Sequence, residues 1–141
     1  MHRCTALANV LAVALGLICV TGLGAAAPEV IEPTPAQLKE AQESFARLKA
    51  SYRAEIDPRT KQMRHLFRMP QRTTDADLAK LPRVPFPFAL NLYGTQVTDA
   101  GLKELKELKQ LATLDLFGTQ VTDAGLKDLR EALPKCQIFG P

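Results

Sequence analysis

Groups that perform chemistry are scarce in this chain. It holds two serines, two histidines and three cysteines in 141 residues, and no HExxH, CxxC, GxSxG or phosphate-loop pattern involves them. Ser44 and Ser51 have no histidine close to them in sequence. This scarcity argues against hydrolytic and metal catalysis and leaves only sites assembled from acids and arginines. The expectation is a protein that is not an enzyme, with no catalytic residues, no metal and no cofactor.

What is present begins at the N-terminus. "MHRCTALANVLAVALGLICVTGLGAAAPEV" has a basic start at Arg3, an apolar stretch from about Ala6 to Leu23, and small residues from Gly24 to Ala27. It matches a secretory signal over residues 1–27, cleaved after Ala26 or Ala27. The alternative is an uncleaved single-pass anchor, since about 20 apolar residues span a bilayer. The Ala run favours cleavage. Cys19 follows Ile18 and not a small residue, which argues against a lipoprotein signal. Cleavage leaves Cys136 as the only thiol and excludes an internal disulfide. The expected address is secreted or periplasmic, at the cell envelope. Nucleic acid is not an expected partner there, and a membrane is one only if the N-terminal segment is retained.

The processed chain is nearly balanced in charge, with 17 Lys and Arg against 15 Asp and Glu. The middle is more basic: Arg53 to Arg83 carries eight cations against four acids, whereas Val84 onward carries six against seven. Such a segment fits a solvated helix face and loop, or a surface for an anionic lipid, polymer or nucleic acid, the last disfavoured by the expected address.

Residues 28–34 read as an extended Pro-rich spacer. Thr34, Pro35 and Gln37 then spell a helix start. Leu38, Ala41, Phe45, Leu48 and Tyr52 follow at spacings of 3 and 4, predicting a helix from 35 to near Ile56. Its apolar stripe needs a cover, either the end of the downstream array or the same helix of a second subunit.

The downstream region repeats itself. "LNLYGTQVTDAGLKELKE" at 90–107 returns 24 residues later as "LDLFGTQVTDAGLKDLRE", identical at 14 of 18 positions. The LxL opening alternates like a strand, and the later leucines have helical spacing, so each copy is one strand and one helix joined by a turn at "GTQV". A degenerate copy runs from Leu66 to Ala89, with "TDADLAKL" under "TDAGLKEL" and Leu66 under Leu90; a last strand, "CQIF" at 136–139, places Ile138 under Leu114. Cys136 then falls under Ala112 as an inert structural thiol.

These copies resemble leucine-rich repeats, in particular the subclass LxLxxTxVTDxGLxxL, similar to cysteine-containing-type repeats and to small secreted bacterial proteins. Leu90, Leu92, Thr95, Val97, Thr98, Asp99, Gly101, Leu102 and Leu105 fill the pattern, and their counterparts from Leu114 to Leu129 fill it again. The resemblance covers residues 66–141, in copies at 66–89, 90–113 and 114–137. It implies an α/β fold: a short right-handed solenoid of about three coils, strands parallel on the concave side and helices convex, preceded by the helix of a 35–65 N-terminal cap. Within it Thr95 and Thr119 are expected to satisfy backbone groups from coil to coil, and Thr98 or Asp99 to cap a helix.

Function then falls to the concave face. With Leu90 and Leu92 inward, Ala89, Asn91 and Tyr93 point out, as do Thr113, Asp115 and Phe117. Stacking on the period predicts a column Phe67, Asn91, Asp115, Phe139 beside a column Met69, Tyr93, Phe117. Tyr93 and Phe117 stand where repeats of this kind commonly carry small polar residues. The candidate partner-binding residues are therefore Phe67, Asn91, Tyr93, Asp115, Phe117 and Phe139, facing a protein or polymer. The competing expectation is that the rings are self-covered, or that the helix and the open ends build a homo-oligomer.

Overall fold

The computed structural model describes residues 32–57 and 61–140. The apolar segment read as a secretory signal lies outside the described residues. Among the described residues no helix is long and apolar enough to cross a membrane.

Among the described residues nine elements follow one another: α1 (Pro35–Arg47), β1 (Ser51–Ile56), β2 (Met63–Arg68), α2 (Asp75–Leu78), β3 (Phe88–Asn91), α3 (Asp99–Leu105), β4 (Leu111–Asp115), α4 (Asp123–Ala132) and β5 (Gln137–Phe139). The five strands form one sheet in the order β1-β2-β3-β4-β5. β1 runs antiparallel to β2, and the remaining pairs are parallel. The architecture is thus α/β with a mostly parallel sheet. Leu90 and Leu114 from the strands, Leu92 and Leu116 just after them, and Leu102, Leu105, Leu126 and Leu129 from the helices belong to one buried cluster. Each unit hides the apolar side of its neighbour, which one strand and one helix could not do alone.

Helix α1 starts as the sequence predicts. Gln37 N–H donates to Thr34 Oγ1 at 3.3 Å, and Thr34 N–H donates to Gln37 Oε1 at 2.9 Å, a reciprocal capping box with Pro35 at the first position. It stops nine residues before the expected end. Ala50 N–H donates to Phe45 O at 3.1 Å and Lys49 N–H to Ala46 O at 2.8 Å, the paired bonds of a Schellman stop, with Lys49 in the left-handed region at φ 59. The chain then turns into β1, so Ser51–Ile56 is an edge strand and not the last turns of a helix. Tyr52, expected on the helical stripe, pairs with Phe67 across the hairpin. Its hydroxyl lies 2.8 Å from Nδ1 of His65, which is 5% exposed and whose Nε2 has no partner among the described residues.

The shortened helix still finds its cover within the chain. Ala41 and Phe45 are buried, and the Phe45 ring stacks on Phe67 with centroids 3.9 Å apart and planes 12° apart. Phe88 tilts against it at 6.0 Å. The helix therefore closes the core at its β2 end.

The first strand–helix unit carries a second correction. Leu90 pairs with Leu114 and Leu114 with Ile138, each 24 residues apart, but Phe67 pairs with Leu90 at a separation of 23. A slip of one residue turns every side chain of a strand to the other face. His65, Phe67 and Met69 accordingly enter the core, and Leu66 and Arg68 take the open face.

Candidate functional site

The sheet face away from the core is built by alternation. In β3 and β4 the leucines point inward, so Asn91 and Asp115, which are register partners, point outward. Asn91 Nδ2 donates to Asp115 Oδ2 at 3.1 Å. Each of the two also holds its own turn: Asn91 Oδ1 accepts from Tyr93 N–H at 3.0 Å, and Asp115 Oδ1 accepts from Phe117 N–H at 3.1 Å. These side-chain turns explain why the copies differ here. Two aspartates in register would repel, whereas an amide beside a carboxylate supplies the donor that the carboxylate lacks.

The turns set the direction of the rings. Gly94 and Gly118 follow Tyr93 and Phe117 at φ 67 and 70, a conformation that costs a side chain steric strain. Gly94 N–H donates to Phe117 O at 2.9 Å, fastening one turn to the next. Tyr93, Phe117 and Phe139 remain 49%, 46% and 48% exposed. None of the three meets another aromatic ring among the described residues.

Five of the six candidate residues thus share this face. Phe67 does not: it is fully buried under Phe45, a consequence of the one-residue slip in β2. Met69, expected beside Tyr93, is buried for the same reason, and Ala89 is closed off between its neighbours Leu66 and Thr113. The row across the sheet reads Arg68, Asn91, Asp115, Phe139. Arg68 was the missed member, although β2 advertises it: Arg64 and Arg68 alternate with His65, Phe67 and Met69, marking the solvent side.

The threonines of the turns act inside their own unit. Thr95 Oγ1 donates to Leu92 O at 2.8 Å and Thr119 Oγ1 to Leu116 O at 2.7 Å, closing each turn on itself and not bridging units. Cys136 is half-buried against the core, and burial pushes its thiol up to about 11, so it is a poor nucleophile at neutral pH. Among the described residues this face offers rings, an amide, a carboxylate and a guanidinium.

Fold and face together define an α/β protein of successive strand–helix units, closed at one end by a helix and a hairpin. No protein-family model, no curated protein and no solved structure matches it.

Proposed function

We propose that the chain is a non-enzymatic, extracytoplasmic leucine-rich-repeat module, a right-handed solenoid of about three coils that binds a protein or polymer through its open sheet face. The observation that carries this is the set of half-exposed rings, Tyr93, Phe117 and Phe139, on one face. Exposed aromatics bring large contact area at low entropy cost. The 24-residue register of Leu90, Leu114 and Ile138 in parallel strands supports the repeat reading. The N-terminal sequence supports the address.

Capture of a partner from the extracytoplasmic fraction, compared between the native chain and Tyr93→Ser with Phe117→Ser, tests it. The double variant should melt within a few degrees of the parent and lose the partner; undiminished capture by the folded variant overturns the reading.

A second reading is favoured by one observation: among the described residues β5 pairs with β4 only and β1 with β2 only, at the two ends of the sheet. An exposed strand edge is a template for another chain, so the module could be an assembly component. Phe45 on the stripe of α1 packs on Phe67 and Phe88 within the chain, so in this reading self-association runs through the open sheet edges more readily than through the helix. Light scattering on residues 28–141 separates the two, since a clean monomer sinks assembly.

A further inference from the structure

A cleft of about 590 Å³ opens beside the C-terminal end of α1, at the carboxyl end of β2. We infer that it binds a soluble, multiply charged oxyanion, a compound carrying two or more phosphate or sulfate groups. Four cations line it: Arg47 from the end of α1, Lys49 from the turn that follows, Arg72 from the loop after β2, and Lys80 just beyond α2. One acid, Asp77, joins them, with Lys80 Nζ 3.8 Å from its Oδ1. Asp77 Oδ2 is occupied by the Thr74 N–H at 3.1 Å and hydroxyl at 3.2 Å. Arg47, Lys49 and Arg72 have no acidic partner within ion-pair distance among the described residues.

The charge around the cleft differs from that of the rest. The processed chain carries 17 cations and 15 acids; setting aside the four cations and one acid of the cleft leaves thirteen cations and fourteen acids, so a net +3 at the cleft stands against a nearly neutral remainder. Gathering like charges without counter-ions opposes folding, and a concave wall focuses their field on whatever enters.

Lys49 adds a separate observation. It holds the left-handed position of the helix stop, where glycine is the usual and least strained residue, and it places a cation on the cleft rim. The size also bears on the ligand. Pockets of about 300–1,000 Å³ enclose small organic molecules, and cations contributed by four separate segments match several charged groups better than one. This site is separate from the ring-bearing face and does not depend on it.

Tripolyphosphate titrated calorimetrically into the full chain tests the inference. Binding in the range of about 10–100 µM is expected in dilute buffer, weakening as salt brings the screening length to about 8 Å at 0.15 M; inorganic phosphate should bind far more weakly. Arg47→Gln with Arg72→Gln should weaken tripolyphosphate about tenfold. Lys103→Gln with Lys127→Gln, which removes the same charge from α3 and α4, should change it less than twofold. No binding by the native chain, a loss under threefold in the cleft variant, or a loss equal to that of the control pair overturns the site. Retention on phosphatidylserine vesicles with no response to tripolyphosphate also overturns it, in favour of a lipid surface.

Discussion

The carboxylate of Asp99 belongs to α3 but grips the unit after it: Oδ1 accepts from the Thr122 N–H at 2.8 Å, and Oδ2 accepts from the Thr122 hydroxyl at 2.6 Å. Asp75 holds Thr98 in the same way, at 2.8 and 2.7 Å. Thr98 and Thr122 meanwhile cap their own helices through Ala100 N–H and Gly125 N–H. The glycine of each copy makes the approach feasible, since a Cβ at Gly101 would meet the Asp75 carboxylate, and one at Gly125 that of Asp99. The repeated "TDAG" is therefore a joint between units as well as a helix cap.

Gly125→Ala tests the joint. Within a helix alanine normally gains about 1 kcal/mol over glycine, but here overpacking against Asp99 should reverse the sign and destabilise by about 1–3 kcal/mol. In an Asp99→Ala background the penalty should shrink or turn into a gain. Urea midpoints followed by circular dichroism measure both, and equal penalties in the two backgrounds would rule out the contact.

Phe45→Ala should cost about 3–5 kcal/mol, since it empties the space between α1, Phe67 and Phe88. Phe117→Ala, removing a ring that is half in water, should change stability by no more than about 0.5 kcal/mol. Equal losses in thermal unfolding would mean that the Phe117 ring belongs to the core.

His65 makes stability depend on pH. Burial holds its pKa below the ordinary value, with the charge of Glu32 opposing that shift, so the folded chain keeps the ring neutral where the unfolded chain would charge it. The contribution is full above the unfolded value of about 6.5 and is lost as pH falls through the lower folded one. The melting temperature should drop between pH 7 and 5, and the drop should be shallower in His65→Gln. Asp99, whose pKa the two Thr122 hydrogen bonds lower, acts further down: its stabilisation holds above about pH 3.9 and disappears in stronger acid.

Lys49→Gly should relieve the left-handed strain at the end of α1 and stabilise by about 1 kcal/mol, a rise of about 4 °C in melting temperature for a domain of this size. A fall in melting temperature would show that the Lys49 side chain contributes more than its backbone costs.

That same residue explains what the sequence concealed. The 24-residue copies were legible because Leu90, Leu114 and Ile138 lie in parallel strands at one spacing, and Tyr93 and Phe117 followed from alternation along those strands. The end of α1 was not, because a lysine stands where glycine would have signalled a stop, and the spacing of Leu48 and Tyr52 happens to continue the helical stripe. The first unit misled for another reason. Its β2 lies 23 residues before β3, yet its next loop is back at 24, with Gln96 bonded to Thr73 as Gln120 is to Val97. Aligning on "TDADLAKL" therefore placed the helix correctly and the strand one residue out, which exchanged Phe67 for Arg68 on the open face.

One letter of the first unit now has a meaning that alignment alone would treat as decay. Asp77 stands where the later copies have Gly101 and Gly125, and it caps Thr74 in place of leaving room for a neighbour's carboxylate. Such a unit extends an aspartate to its successor, but a side chain stands where the later copies leave a glycine for their predecessor's carboxylate. The strand–helix units thus differ at the joint itself: a copy placed ahead of this one would bring its aspartate against Asp77, whereas a copy placed ahead of either later unit would meet a glycine.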